Sequence, residues 1–352
     1  MARVLYLLNF VGNGGTEKYV LDLIKHMGRD NCIFVYSETG PGIEAFRQTG
    51  VKMYQVNMKG PFDVKAAKRI KQIIQMEKAD VVHANFLREN YLAILAKWMG
   101  ARCKAIWTYH VNVPMGLGIR SLNRVMTAFN HKVITVSQFM YEQLQQKGVS
   151  RHKLQLIHNG IDGPKIPHPM KHLREVPVIA TIGRLREEKG QAFLIKSLAY
   201  LKSAYPDMKW ECHLYGDGPQ REELETLVQK LGLENFVQFK GFCSEKEIVY
   251  LNSDIVVVPS SNDAFPYVPI EALSYSRVTV GTRIGGIPEI IKDGESGLLV
   301  DYGNIEELGN TIYRLLTDQK LVQRLSENGR KYFENHFTLE KMMKQTTAVY
   351  EY

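Results

Sequence analysis

Two carboxylates flank a proline-rich turn in the second half of the chain. Asp263 and Glu271 stand on either side of Ala264-Phe265-Pro266-Tyr267-Val268-Pro269-Ile270, and an Ala/Leu helix start follows. Backbone N–H groups at a helix start suit phosphate or sugar oxygens, and carboxylates accept hydrogen bonds from sugar hydroxyls. The segment predicts a sugar-nucleotide site. A capped surface helix is the alternative if the segment is taken alone.

Two cations stand in the loop Gly183–Gly190, where a predicted strand leads into a helix. Arg184 supplies a planar bidentate fork and Lys189 a compact point charge. Together they could hold a diphosphate and stabilise the negative charge that builds on a leaving nucleoside diphosphate. A solvated loop is the alternative, since exposed charges are usually without a specific role.

A glycine-rich loop follows the first apolar run. It reads Gly12-Asn13-Gly14-Gly15-Thr16-Glu17, so Glu17 stands where a dinucleotide fingerprint requires its third glycine, and no Gly-Lys-Ser/Thr follows. The pattern therefore disfavours NAD enzymes and P-loop nucleotide hydrolases. Glycines at 14 and 15 would still let the backbone approach a ligand closely. A tight turn without a ligand is the alternative.

The elements that must position these residues alternate along the chain. Short apolar runs are separated by amphipathic stretches such as Val64–Met76, which predicts parallel sheets covered by helices on both faces. We predict an α/β protein with two doubly wound Rossmann-like domains facing a shared cleft, at residues 1–163 and 177–337. A linker spans 164–176, and a last helix at 338–352 packs back on the first domain. The predicted strands are Val4–Leu8, Cys32–Tyr36, Asp80–Ala84, Ala105–Tyr109, Lys132–Val136, Pro177–Ile182, Trp210–Tyr215, Val237–Phe239, Asp254–Val258, Val278–Gly281 and Gly297–Val300.

The charge of the chain is unevenly distributed. Residues 1–160 hold 22 Lys and Arg against 10 Asp and Glu, whereas the remainder holds 23 against 27. The first half therefore attracts anions. No nucleic-acid-binding signature accompanies it, so we expect an anionic membrane surface or acceptor rather than nucleic acid. Four scattered cysteines suggest neither disulfides nor zinc, and with no export signal or run of ~18 apolar residues they favour a cytoplasmic protein.

With these residues set out, the chain resembles the retaining glycosyltransferases of family 4, which have the GT-B architecture. The resemblance spans nearly the whole length and rests on many ordered matches. These are Gly14-Gly15-Thr16-Glu17, Asp80-Val81-Val82-His83-Ala84, Thr135-Val136-Ser137, Asn159-Gly160-Ile161-Asp162, Gly183-Arg184-Leu185 with Lys189-Gly190, Gly216-Asp217-Gly218-Pro219, Asp263 with Glu271, Gly285-Gly286-Ile287-Pro288-Glu289 and Gly297-Leu298-Leu299-Val300.

The resemblance implies a role for each candidate residue. Arg184 and Lys189 would bind the donor diphosphate, Glu271 the nucleotide ribose and Asp263 the donor sugar. His110, in Thr108-Tyr109-His110, matches a position that contacts the donor sugar or acceptor at the reaction centre. The remaining donor-binding candidates are Gly14, Gly15, Phe265, and the amides near Tyr267 and Val268.

The implied reaction moves a sugar from a UDP- or GDP-linked donor to a hydroxyl of a saccharide or lipid-linked acceptor, in bacterial surface-polysaccharide or glycolipid synthesis. The leaving phosphate oxygen can take the acceptor proton, and no Asp-x-Asp metal motif occurs, so we expect no metal or other cofactor. The amphipathic stretch Pro114–Val133, including Met115, could lie against the inner face of the plasma membrane, or serve as a core helix.

Two departures leave other functions open. The family usually has Glu at the position of Asp263, and it commonly has Gly-x-Pro where Ser276-Arg277-Val278 stand here. A catalytically degenerate sugar-nucleotide-binding partner subunit is therefore one alternative. A sugar-nucleotide 2-epimerase on the same scaffold is another, although it would require more carboxylates in the first domain than this sequence provides.

Overall fold

The computed structural model describes residues 2–112, 116–164, 169–170 and 172–351. The chain forms two compact units, Met1–Asn159 with Leu339–Tyr352, and Gly160–Thr338. Residues 165–168 and 171 of the predicted linker lie outside the described residues. So do residues 113–115, of which Pro114 and Met115 begin the predicted amphipathic stretch. The predicted arrangement of the domains around a cleft stays a prediction.

The first unit alternates strands and helices. Its elements before residue 160 are β1 (Val4–Phe10), α1 (Gly15–Met27), β2 (Cys32–Glu38), α2 (Ile43–Gln48), β3 (Lys52–Gln55), α3 (Val64–Glu77), β4 (Val81–Ala84), α4 (Leu87–Trp98), β5 (Lys104–Tyr109), α5 (Leu117–Ala128), β6 (Lys132–Thr135), α6 (Gln138–Gln146) and β7 (Leu154–Leu156).

The second unit follows the same rhythm. Its elements are β8 (Val178–Ile182), α7 (Gln191–Ala204), β9 (Glu211–Tyr215), α8 (Arg221–Lys230), β10 (Val237–Gly241), α9 (Lys246–Leu251), β11 (Ile255–Val258), α10 (Tyr267–Ser274), β12 (Val278–Thr282), α11 (Ile287–Ile290), β13 (Leu298–Val300), α12 (Ile305–Thr317) and α13 (Gln319–His336). The last helix of the chain, α14 (Leu339–Glu351), belongs to the first unit.

Both sheets are parallel throughout. Their strand orders are β3-β2-β1-β4-β5-β6-β7 and β10-β9-β8-β11-β12-β13. The predicted α/β class and all eleven predicted strands are confirmed, to within a residue or two at the ends. β3 and β7 were not predicted, because each is a short edge strand of mostly exposed or half-buried residues that lacks an apolar run.

The alternation of side chains along β1 divides the first unit's core into two layers. Val4, Tyr6 and Leu8 pack on one face with α1 and α14, whereas Leu5 and Leu7 pack on the other with α3 and α4. Because a parallel strand is buried on both faces, every residue from Val4 to Leu8 is apolar or aromatic. Burial of α14 through Met342, Met343, Val349 and Tyr350 stabilises the unit by roughly 1.5–3 kcal/mol per side chain.

Each sheet reverses its strand order at one place. In the first unit this switch point lies between β1 and β4, and in the second between β8 and β11. Open α/β sheets bind ligands beyond the carboxyl ends of the strands at such a point. The loops after these four strands therefore mark where a ligand would bind in each unit.

Candidate functional site

The switch point of the second sheet brings Lys189 and Asp263 together. Lys189 follows β8 at the end of a short 3-10 helix, Glu187–Lys189, and Asp263 follows β11. The Lys189 Nζ donates to Asp263 Oδ2 at 2.6 Å, although the residues are 74 positions apart. Both side chains border a small pocket that is also lined by Ser260 and Val268. Lys189 and Asp263, both singled out from the sequence, thus form one ion pair.

Two glycines make this packing possible. Gly190 has φ +69°, and a Cβ there would lie 1.9 Å from the carbonyl oxygen of Pro259. Gly285 has φ +58°, and its Cβ would lie 1.9 Å from the carbonyl oxygen of Asp263. Since only glycine combines a left-handed backbone with such close approach, the loops after β8, β11 and β12 are held backbone to backbone around the Lys189–Asp263 pair.

Glu271 lies in the second turn of α10 and is buried. Its Oε2 accepts a hydrogen bond from the Tyr250 hydroxyl at 2.7 Å, and its Oε1 accepts one from the Lys246 ammonium. Burial and the neighbouring carboxylate raise the pKa of Tyr250, so its hydroxyl remains a donor. A buried carboxylate needs a partner of opposite charge and hydrogen-bond donors. Lys246 supplies the positive charge, and both Lys246 and Tyr250 donate hydrogen bonds. Neither residue stands in a motif, so neither was predicted from the sequence.

Two residues supply the backbone N–H groups at the start of α10 that have no partner within the helix. Pro266 caps the helix and Pro269 occupies its third position, and proline carries no N–H. The first-turn donors are therefore those of Tyr267 and Val268. The Phe265 side chain is buried against Phe337, with 5.9 Å between ring centroids, so it supports the turn from within the core.

Arg184 differs from Lys189 in its surroundings. Its side chain is exposed, and among the described residues its guanidinium makes no ion pair and no side-chain hydrogen bond. Its carbonyl accepts a hydrogen bond from Gln191 at 3.1 Å, which fixes the backbone of the loop. The structure thus brings Lys189 and Asp263 together and leaves the Arg184 fork directed to solvent.

The glycine loop of the first unit is closed by Glu17. Gly14 caps α1, which begins at Gly15. The Glu17 carboxylate accepts hydrogen bonds from the amides of Gly12 and Gly14, each at 3.0 Å. Glu17, which breaks the dinucleotide glycine pattern in the sequence, therefore sets the shape of the loop at the first switch point.

His110 lies just beyond β5, at the carboxyl edge of the first sheet, and contacts Asn85 and Tyr19 there. Its Nε2 is 3.3 Å from Asn85 Oδ1, and its ring packs edge-on against Tyr19 at 4.8 Å. Because Asn85 Nδ2 donates to the Leu7 carbonyl, its Oδ1 is free to accept, and His110 carries the proton on Nε2. Burial lowers the pKa of His110 to about 3, so the ring is neutral at physiological pH.

Two further charged residues at this edge were not predicted. Arg88 donates to Asn9 Oδ1 at 2.9 Å and to the Met58 carbonyl at 3.0 Å, so it joins the start of α4 to the end of β1 and to the segment after β3. Glu89 is completely buried, and neither of its carboxylate oxygens has a hydrogen-bond partner among the described residues. A charged pair directly after β4 was the available sequence signal. Within the described part of the chain, no three His, Cys, Asp or Glu side chains converge to hold a metal ion.

Both parts of the chain match known families. Residues 13–163 match the model for Glycosyltransferase Family 4, and residues 165–332 match the model for Glycosyl transferases group 1. An N-acetyl-alpha-D-glucosaminyl L-malate synthase from Bacillus anthracis is 25% identical over 87% of this chain and 83% of its own length. The lipopolysaccharide core biosynthesis glycosyltransferase LpsE of Rhizobium meliloti is 31% identical over 51% of this chain and 50% of its own length.

Solved structures show the same fold. Anabaena Alr3699/HepE, crystallised in complex with UDP, superimposes with a TM-score of 0.86 at 21% identity and covers 99% of both chains. A glycosyltransferase from Rickettsia africae superimposes with a TM-score of 0.85 at 22% identity, over 99% of this chain and 98% of its own. The chain is therefore a member of the family 4, group 1 glycosyltransferases, and its two α/β units have the GT-B fold.

Proposed function

We propose that the protein transfers a sugar from a nucleoside-diphosphate sugar to an acceptor hydroxyl, with retention of the anomeric configuration and without a metal ion. The observation that carries this proposal is the Lys189–Asp263 ion pair at the switch point of the second sheet, with Arg184 exposed in the same loop as Lys189. Support comes from Anabaena HepE, which has the same fold and has been crystallised with UDP and with UDP-glucose.

The charges of Arg184, Lys189 and Asp263 suit a diphosphate. Lys189 already faces one carboxylate, so an arriving diphosphate competes with Asp263 for the same ammonium group. Asp263 is then released to accept a hydrogen bond from a hydroxyl of the donor sugar. Arg184 adds a bidentate fork to the diphosphate. Both cations stabilise the leaving nucleoside diphosphate, whose phosphate oxygen takes the acceptor proton as the new glycosidic bond forms.

Glu271 fits the role of ribose ligand. A carboxylate has about four lone-pair sites, and Lys246 and Tyr250 use two of them. The remaining two can accept the paired hydroxyls of a ribose. We propose that the amides of Tyr267 and Val268 hold donor oxygens at the start of the same helix, and that Gly14 and Gly15 let the backbone of the first unit approach the donor.

His110 contributes to the reaction as a neutral ring. With its Nε2 proton directed to Asn85, Nδ1 carries a lone pair that can accept a hydrogen bond from a sugar hydroxyl. Its lowered pKa keeps that lone pair available throughout the physiological range. His110 is therefore proposed as a hydrogen-bond acceptor at the reaction centre.

We propose a lipid-linked saccharide as the acceptor, in surface-polysaccharide or glycolipid synthesis at the inner face of the plasma membrane. The carboxyl edge of the first sheet exposes Phe10, Phe62, Val111 and Ile119, each at 45–50%. No Asp or Glu lies between Glu89 and Glu142, so this unit suits an anionic lipid surface. Within the described residues, no helix is both long and apolar enough to cross a bilayer.

The L-malate in the name of the Bacillus anthracis relative favours a second candidate acceptor, a small dicarboxylate, which the same basic unit could bind. Vesicle sedimentation separates the two. With a lipid-linked acceptor, Phe62→Ser and Ile119→Ser weaken binding to anionic vesicles. Trp98→Ser, an exposed aromatic at the opposite edge of the sheet, does not. Absence of vesicle binding in the unmodified protein contradicts the membrane assignment.

The donor site is tested by the shift in melting temperature with UDP, GDP and ADP in metal-free buffer, since a ligand that binds the folded state raises the midpoint. One nucleotide should raise it, Arg184→Ala and Glu271→Ala should abolish the shift, and Arg186→Ala, an exposed neighbour, should not. No shift with any nucleotide contradicts the proposal. A shift without release of nucleotide from any donor favours the degenerate partner subunit, and a 2-epimerase would convert the donor without an acceptor.

A further inference from the structure

A line of polar side chains runs through the core of the first unit, from the last helix to the loop that carries His110. The Tyr350 hydroxyl lies 2.7 Å from His83 Nδ1 and 3.4 Å from the Tyr6 hydroxyl. On the other side of the imidazole, Nε2 lies 2.6 Å from Thr108 Oγ1, which is 3.3 Å from the Tyr19 hydroxyl. All five side chains are at most 2% exposed.

Tyr19 links this line to His110. Thr108 and His110 are two residues apart along an extended segment, so their side chains point to the same face of the sheet. The Tyr19 ring stands edge-on to both imidazoles, with its centroid 4.8 Å from that of His110 and 6.1 Å from that of His83. Among the described residues, Tyr19 and Asn85 therefore contact the His110 ring and set its orientation.

The protonation state of His83 decides how these side chains can hydrogen-bond to one another. Burial lowers the pKa of His83 to about 3, with a smaller effect from His110, so the ring is neutral and has one donor and one acceptor nitrogen. Either tautomer gives a continuous series, because each hydroxyl can donate in one direction and accept in the other. A hydrogen bond in such a buried network strengthens its neighbours, and a missing partner leaves an unsatisfied polar group. Loss of the Tyr350 hydroxyl would therefore weaken the hydrogen bonds of Thr108 and Tyr19.

We propose that Tyr350, at the end of α14, is a positioning residue for His110, acting through His83, Thr108 and Tyr19. The inference rests on the proposed function, since it assigns His110 to the reaction centre. It makes the last helix of the chain a part of the reactive edge of the first unit, 240 positions from His110 in the sequence.

The test uses Tyr350→Phe, which keeps the buried ring and removes only the hydroxyl. The kcat for release of nucleotide from the donor should fall about tenfold, the effect of one well-placed hydrogen bond, while KM for the donor stays unchanged. In a His110→Ala background the same change should lower kcat less than twofold, because the ring that it positions is gone. Tyr91→Phe, a buried tyrosine of the same unit outside the line, should leave kcat unaltered.

A purely structural role predicts a different pattern. Tyr350→Phe would then lower the melting temperature and reduce kcat equally in both backgrounds, which would overturn the proposal, as would full activity of His110→Ala. Nitrogen-15 NMR of the imidazoles gives a readout that does not require activity. The His110 ring nitrogens should shift in Tyr350→Phe and not in Tyr91→Phe. Unchanged His110 signals overturn the inference even if no sugar transfer is found, whereas shifted signals without transfer count against the proposed function alone.

Discussion

Replacement of Glu89 by Gln should stabilise the protein at high pH and have no such effect at low pH. Glu89 is the third residue of α4, a position where the helix dipole favours a carboxylate. Burial nevertheless dominates and raises the pKa of Glu89 to about 7, against the smaller lowering effects of its own amide, the Asn9 amide and Arg88. Neither of these amides meets the geometry of a full hydrogen bond to the carboxylate, so both buried oxygens lack a hydrogen-bond partner among the described residues.

The sign and size of the effect follow from this shift. A raised folded-state pKa means that the protonated form contributes stability, which is present below the unfolded pKa and lost as pH rises through the folded one. The interval runs from the ordinary value of 4.5 to about 7. At 1.36 kcal/mol per pH unit, the charged form costs about 3 kcal/mol above pH 7. Glutamine resembles the neutral acid, so it removes this cost.

The assay is urea unfolding of the first unit at pH 4 and pH 8. Trp98 and Trp107 lie in that unit, so a Trp210→Phe background makes tryptophan fluorescence report on it alone. Glu89→Gln should raise the free energy of unfolding by about 3 kcal/mol at pH 8 and by little at pH 4. Glu142→Gln, on the exposed face of α6, is the matched control and should be neutral at both. An equal gain at both pH values, or none at pH 8, would show that burial does not raise the pKa of Glu89.

Three further changes probe other parts of the fold. Ser276 adopts φ +56°, so Ser276→Gly should raise the free energy of unfolding by about 0.5–1 kcal/mol in urea denaturation, and a loss of stability would contradict the strain. Gly285→Ala should destabilise the second unit by roughly 1–3 kcal/mol and weaken the nucleotide-induced melting shift by displacing Asp263. Gly294→Ala, with φ +73° and open space around it, should keep that shift. Burial lowers the pKa of His83 to about 3, so its contribution to stability is present above pH 6.5 and is lost as the pH falls. His83→Gln should therefore reduce the slope of the unfolding free energy against pH, on the acid side, by about 1.4 kcal/mol per pH unit. An unchanged slope would show that His83 is protonated in the folded state.

Much of the fold could be predicted because its parallel strands are buried on both faces. Continuous apolar runs such as Ile255–Val258 are unambiguous, and Val64–Met76 shows clear helical periodicity. The edge strands β3 and β7 could not be predicted, since an edge strand needs few apolar residues. In α5 the sequence left two alternatives open: Met126 is buried in the core while Val125 is exposed at 54%, so the helix has features of both.

The candidate site could be predicted where charged residues stand in a loop directly after a strand. Lys189 and Asp263 each lie in a loop after a strand of the switch point, so their residue types and positions were sufficient to single them out. The residues that hold other candidates in place were not predictable. Lys246 and Tyr250 reach Glu271 from another helix, and Tyr350 reaches His83 across 267 positions. Such contacts depend on tertiary packing and leave no periodic signal in the sequence.

The proposed activity has two measurable parts, removal of a sugar from a nucleoside diphosphate and retention of its anomeric configuration. Proton NMR of the purified protein with UDP-glucose or UDP-N-acetylglucosamine, in chelator-treated buffer with lipid-linked saccharide or a dicarboxylate as acceptor, follows both in one experiment. We expect release of UDP together with an α-anomeric signal of the product, and loss of both in Lys189→Met. Release of an inverted product, complete dependence on added metal, or equal activity in Lys189→Met would contradict the proposed activity.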